Sequence, residues 1–167
     1  MTFRRVCRHL VPGILAAAAA GGVAGSRAEA AVRTVAPSVR VSIVRDAPLT
    51  GQRIVLLVRV EGAGMVLGSY EGRVLFDPKV LTVDSAVAGR DGSRFVNPAD
   101  APHGTIRFAG FTTSGFTNPT ALRIVARMAG PIDRAHVSAI IAVAGDLEGK
   151  PVPRAGLIPA THIEEVR

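Results

Sequence analysis

The stretch from Leu67 to Val83, LGSYEGRVLFDPKVLTV, constrains this chain most, because it alternates as a strand does and then stops on an aromatic-Asp-Pro turn. Side chains on a strand point alternately to opposite faces, so Phe76, Val74 and Gly72 share one face while Leu75, Arg73, Glu71 and Ser69 share the other. The first face suits a core, and the second is left open to contact. Pro78 has no N–H to give a ladder, and Asp77 accepts a bond from its own downstream backbone, so the pair ends one strand and turns the chain into the next.

The same grammar continues on both sides. From Val39 onward, short runs rich in Val and Ile are separated by Gly, Pro, Asp and Asn about every ten residues, the all-β pattern. It predicts strands over Val39 to Arg45, Arg53 to Glu61, Leu67 to Phe76, Val80 to Val87, Thr105 to Thr112, Thr120 to Ala129 and His136 to Ala144. Turn signals fall between them, at Pro48 to Gly51, Gly62 to Gly64, Asn118-Pro119 and Gly130-Pro131. No amphipathic helical pattern occurs after residue 30, and no period repeats, which excludes a solenoid. The expectation is a β-sandwich or jelly roll, two sheets packed face to face. Ala88 to Gly104 reads as a long loop pinned by Phe95 and Val96, and the Pro-rich tail from Lys150 supplies a last edge strand near Gly156 to Ile163.

The N-terminus reads as an address. Arg4, Arg5 and Arg8 form a basic region, Leu10 to Val23 an Ala-rich apolar run, and Ala28-Glu29-Ala30 a cleavage site, so residues 1–30 are expected to be a signal peptide. An uncleaved membrane anchor is the alternative, disfavoured by the short, Gly-rich run. Export to the periplasm, the envelope or the medium follows, leaving one domain over residues 31–167 with its core over about 39–163. The only cysteine, Cys7, lies in the leader, so no disulfide is available to the domain. The formal net charge of +7 falls to +4 once four arginines and one glutamate leave with the leader. What remains is scattered, without the basic cluster of a nucleic-acid binder.

Catalytic signals are missing. No pair of carboxylates or nucleophile-base-acid set is recognisable, and Ser114-Gly115 lacks the preceding Gly-x of a nucleophile elbow. His103, His136 and His162 are far apart in sequence without ligand spacing, and the aspartates lack a calcium-loop pattern, so neither metal nor cofactor is expected. Direct sugar binding calls for aromatic platforms, and the chain has no Trp and one Tyr. Tyr70, Phe95 and Phe116 are the candidates for exposure, Tyr70 and Phe116 being the expected glycan contacts if a glycan is bound. Phe76, Phe108 and Phe111 read as strand residues.

Taken in order, these segments resemble the cohesin domain of the carbohydrate-binding-module superfamily. Leu67 to Phe76 with Asp77-Pro78-Lys79-Val80-Leu81 is similar to that family's strand, Asp-Pro turn and strand. Val55 to Glu61, Thr105 to Gly110, Leu122 to Gly130 and Val137 to Asp146 resemble strands in the same order. The resemblance spans about Val39 to Ile163 and implies a jelly roll of about nine strands. It also implies a non-catalytic module that binds dockerins or an analogous protein partner, in machinery that degrades extracellular polysaccharide. Carried onto this sequence, the partner-binding positions are Ser69, Glu71 and Arg73, with Arg73 standing where the family places an apolar residue. A carbohydrate-binding module of the same superfamily and a structural envelope protein are the alternatives.

Overall fold

The computed structural model describes residues 36–46 and 52–165, so the expected leader lies outside the described residues. All of them belong to one compact unit, Arg33–Arg167. Ten strands run in chain order: β1 Ser38–Arg45, β2 Arg53–Ala63, β3 Leu67–Leu75, β4 Leu81–Ala88, β5 Ser93–Asn97, β6 Thr105–Phe111, β7 Thr120–Met128, β8 Ser138–Asp146, β9 Leu157–Ile158 and β10 Ile163–Glu165. One sheet has the order β10-β1-β2-β7-β4, with β9 also beside β1; the other is β5-β6-β3-β8. Pairs are antiparallel except those of β9 and β10 with β1, which are parallel. This is a β-sandwich, as the alternation predicts.

The core is made of the inward positions of both sheets. Val39, Val41 and Ile43 of β1, Leu56 and Val58 of β2, Leu122 and Ile124 of β7, and Val74, Ile106 and Phe108 opposite them are buried in one cluster. Each such side chain stabilises the fold by about 1.5–3 kcal/mol relative to remaining in water. Two inward positions of the smaller sheet are glycines, and each faces an aromatic residue across the ladder: Gly110 pairs with Tyr70, and Gly72 with Phe108. A Cβ on Gly110 would stand 2.6 Å from Tyr70 Cζ, and one on Gly72 would stand 2.7 Å from Phe108 Cζ. The missing side chains are the space the two rings occupy.

The Asp-Pro turn behaves as its chemistry requires. β3 ends at Leu75, and Phe76 is buried as its N–H donates to Gly104 O at 3.0 Å. Asp77 Oδ1 accepts from the Lys79 N–H at 2.9 Å, and its carbonyl accepts from Leu81 at 3.0 Å, where β4 begins. Gly104 ends a short 3-10 turn over Ala101–His103 with φ 78, and its backbone passes so close to Phe76 O that a Cβ would stand 2.2 Å from it.

Two expectations need correction. Ala88 to Gly104 is not simply a loop, because it contains β5, which pairs with β6 from Ser93 opposite Phe111 to Asn97 opposite Arg107. Nor does Phe95 pin it: Arg94 and Val96 turn inward, so alternation sends Phe95 outward, where it is 60% exposed. The single late edge strand is in fact two short ones, β9 and β10, both on β1.

Candidate partner-binding face

The outward face of the β5-β6-β3-β8 sheet is read from its register. Across one row stand Gly145, Ser69, Phe111 and Ser93; across the next Val143, Glu71, Ala109 and Phe95; across a third Ile140, Arg73, Arg107 and Asn97. Ser69, Glu71 and Arg73 thus share the outer face, as alternation predicts, with Glu71 and Arg73 exposed and Ser69 half-buried. Beside them the tertiary structure adds three apolar side chains. Phe95, Phe111 and Val143 are 60%, 52% and 58% exposed. The two phenyl rings stack, with centroids 6.2 Å apart and planes 17° from parallel. A solvated sheet face does not ordinarily carry three large apolar groups in adjacent rows.

Local irregularity shapes this face at Val143. The β3–β8 register shifts between Glu71 and Gly72, leaving Ala142 as an extra residue, so that Ala142 and Val143 are both exposed. An inserted residue of this kind re-aims a side chain. Charges surround the apolar group: Arg107 lies 3.8 Å from Asp100, while Glu71 and Arg73 have no ion-pair partner among the described residues.

The position of Phe95 depends on what lies directly behind it. Arg94 faces inward opposite Gly110, and its side chain is 2% exposed. Its guanidinium pairs with the Asp91 carboxylate, donates to Asn118 O at 2.5 Å and lies 4.6 Å from the centre of the Phe116 ring. Asp91 Oδ2 accepts from the N–H of Thr117 at 2.6 Å, the hydroxyl of Thr117 at 3.1 Å and the N–H of Asn118 at 2.9 Å. Partial burial pushes the Asp91 carboxyl up, but the Asn118 and Thr117 amides and the Arg94 guanidinium outweigh it and hold it below the usual carboxylate range. The cluster ties β5 to the loop before β7 and so fixes the strand that presents Phe95.

Tyr70 belongs to the same interior cluster and not to the surface. It is 4% exposed, with Phe116 at 5.1 Å and Phe108 at 6.1 Å between ring centroids. Burial raises its hydroxyl pKa, against the pull of the nearby Arg94. Tyr70 therefore offers no ring to a sugar, and Phe116 is half-buried with the Arg94 cation over its ring. Of the two expected glycan contacts, Tyr70 is buried and Phe116 half-buried, while the exposed aromatic surface is Phe95 with Phe111. Phe111 was read only as a strand residue, although alternation along β6 marks it: with Ile106 and Phe108 inward, Phe111 must face outward.

Elsewhere the described residues hold no group of three or more His, Cys, Asp or Glu side chains placed to bind a metal. Ser114 closes a turn, its N–H donating to Thr112 Oγ1 at 3.2 Å. No described helix is long and apolar enough to cross a membrane.

Solved structures share this architecture. A cohesin of a type I cohesin–dockerin complex from Clostridium thermocellum matches with a TM-score of 0.53 at 14% identity, over 77% of this chain and 99% of that one. The chain has a cohesin-like fold. The sixth cohesin of scaffoldin B from Acetivibrio cellulolyticus, solved with a dockerin, matches the cohesin-like chain with a TM-score of 0.52 at 17% identity, over 78% of this chain and 98% of that one. A non-cellulosomal cohesin from the hyperthermophilic archaeon Archaeoglobus fulgidus matches with a TM-score of 0.51 at 16% identity, over 80% and 93%. No family model and no curated protein matches the sequence. At such identities the likeness is one of fold.

Proposed function

We propose that this cohesin-like domain is a non-catalytic module that binds a protein partner through the outward face of the β5-β6-β3-β8 sheet. The observation that carries the reading is the exposed trio Phe95, Phe111 and Val143, set among Ser69, Glu71, Arg73 and Arg107. An apolar centre with a charged rim is the anatomy of a specific interface. The similar structures include cohesins solved with dockerins, which supports a dockerin or an analogous module as the partner. With the leader read as a signal peptide, the partner is another exported protein, and a role beside polysaccharide-degrading enzymes follows from the resemblance.

The test is capture of exported proteins from the source organism on immobilised domain, compared with Phe111→Glu and Glu71→Ala variants. Loss of the captured partner with Phe111→Glu is expected, and capture unchanged by both variants refutes the proposed face. The stacked phenyl pair also favours a second reading, direct carbohydrate binding. It requires retention on insoluble polysaccharide that disappears with Phe95→Ser or Phe111→Ser.

A further inference from the structure

β8 has β3 on one side and the C-terminal tail on the other, but among the described residues the backbone of the tail bonds to it only near its two ends. Val152 donates to Ala144 O at 2.9 Å, and Ala139 and Ala160 exchange two bonds of 2.9 Å each. Between these anchors the chain leaves β8 through a 3-10 turn at Arg154–Gly156 and runs along β1 as β9. Pro153 and Pro159 flank that excursion, and neither has an N–H with which to continue a ladder. The result is a groove of about 600 Å³ between the outward side of β8 and the tail.

Its walls combine two kinds of chemistry. Ile140, Val143, Pro151 and Pro159 make them largely apolar, while Arg73 enters from β3 and Arg154 from the tail. No acidic residue lines the groove among the described residues, and neither arginine has an ion-pair partner there. Arg73 and Val143 also belong to the outward face described above, so groove and face are continuous.

We infer that this groove takes an acidic, apolar segment of the protein partner, with Arg73 and Arg154 gripping its carboxylates; the inference rests on the partner-binding reading of the adjoining face. Two guanidinium groups over an apolar floor match aliphatic side chains interleaved with carboxylates, because the planar fork of arginine pairs with a carboxylate through two parallel hydrogen bonds. Within the groove walls a basic segment meets two like charges and no lining carboxylate, Glu71 standing outside them on the adjoining face. Arg73 thereby becomes a determinant of which partner is accepted.

The probe is a short labelled peptide alternating leucine with aspartate, titrated into the full chain by fluorescence polarisation beside asparagine and lysine counterparts. The aspartate peptide should bind saturably and weaken as salt screens the charges; the asparagine peptide should bind about tenfold more weakly and the lysine peptide not at all. The double variant Arg73→Glu with Arg154→Glu should abolish binding of the aspartate peptide, and the milder Arg73→Gln with Arg154→Gln should weaken it about tenfold. Equal binding of the aspartate and asparagine peptides, or binding indifferent to both double variants, overturns the inference. If Phe111→Glu loses the captured partner while peptide binding ignores charge, only this inference falls. If peptide binding follows charge while Phe111→Glu keeps every partner, the proposed face falls instead.

Discussion

Replacing Gly72 with alanine sets two effects of opposite sign against each other. Backbone entropy alone favours the change: a strand glycine costs roughly 0.5–1 kcal/mol relative to alanine. Packing opposes it. The new Cβ would stand 2.6 Å from the carbonyl oxygen of Ile140, 2.7 Å from Phe108 Cζ and 3.0 Å from Ile141 Cδ1. Ile140 belongs to the neighbouring strand, Phe108 and Ile141 are buried, and the β3–β8 register already shifts beside Gly72, so none of the three can retreat cheaply. Overpacking of this kind costs about 1–3 kcal/mol. With three contacts at or below 3.0 Å the upper part of that range applies, so the net expectation is a loss of about 1–2 kcal/mol, which for a domain of this size lowers Tm by about 3–8 °C. Thermal unfolding followed by far-UV circular dichroism measures it, with Gly149→Ala as the companion. Gly149 has φ +80 and nothing within 4 Å of a Cβ, so that variant meets only the left-handed backbone penalty of about 1–2 kcal/mol and leaves the core intact. A Tm for Gly72→Ala equal to or above that of the parent protein refutes the reasoning, whatever the companion does.

The remaining predictions concern the face and the cluster behind it. Phe111→Ser removes a half-exposed ring and should change stability by less than about 1 kcal/mol while abolishing partner capture, so a large fall in Tm would show that the ring is structural. Tyr70 is the only tyrosine, so an alkaline absorbance titration reports it alone; its midpoint should lie above that of a free tyrosine, at about 10, and a normal midpoint in the folded protein contradicts its burial. Because that pKa is raised on folding, the associated stability is complete below the unfolded value and is lost as pH rises through the folded one. Asp91 runs the other way: its depressed pKa contributes stability above the unfolded value of about 4 that is lost as pH falls through the folded one. Urea unfolding at a series of acid pH values should therefore show a steeper loss for the parent than for Asp91→Asn, and parallel curves would dismiss the Asp91 contribution.

Much of the fold was legible because a strand writes its two faces into every second residue. Leu67 to Leu75 shows how far this goes: Tyr70, Gly72 and Val74 are buried and Glu71 and Arg73 exposed, as counting back from Phe76 requires. The reading failed where a residue type pulled against its surroundings. Ser93 to Asn97 was hidden as a strand because Gly, Asp and Pro surround it and an arginine occupies an inward position. That arginine is tolerated inside only because Asp91, the Asn118 carbonyl and the Phe116 ring receive it, and those groups come from elsewhere in the chain. Tyr70 offers the converse lesson. Carrying the count one step past Gly72 puts it on the core face with Val74, yet aromatic scarcity made it a candidate for exposure.

The sequence by itself determined β1 to β4 and β6 to β8, the Asp-Pro turn and the two faces of β3, since these depend on backbone geometry and nearest neighbours along the chain. Only the tertiary structure decided what stands beside Ser69, Glu71 and Arg73. Pairing of β5, β6 and β8 with β3 is a contact between distant segments, and its register puts Phe95, Phe111 and Val143 together on one surface. The groove under the tail arises in the same way, from prolines that part the chain from β8 between two anchored points. A binding face is a property of neighbouring strands, and alternation within one strand cannot specify its neighbours.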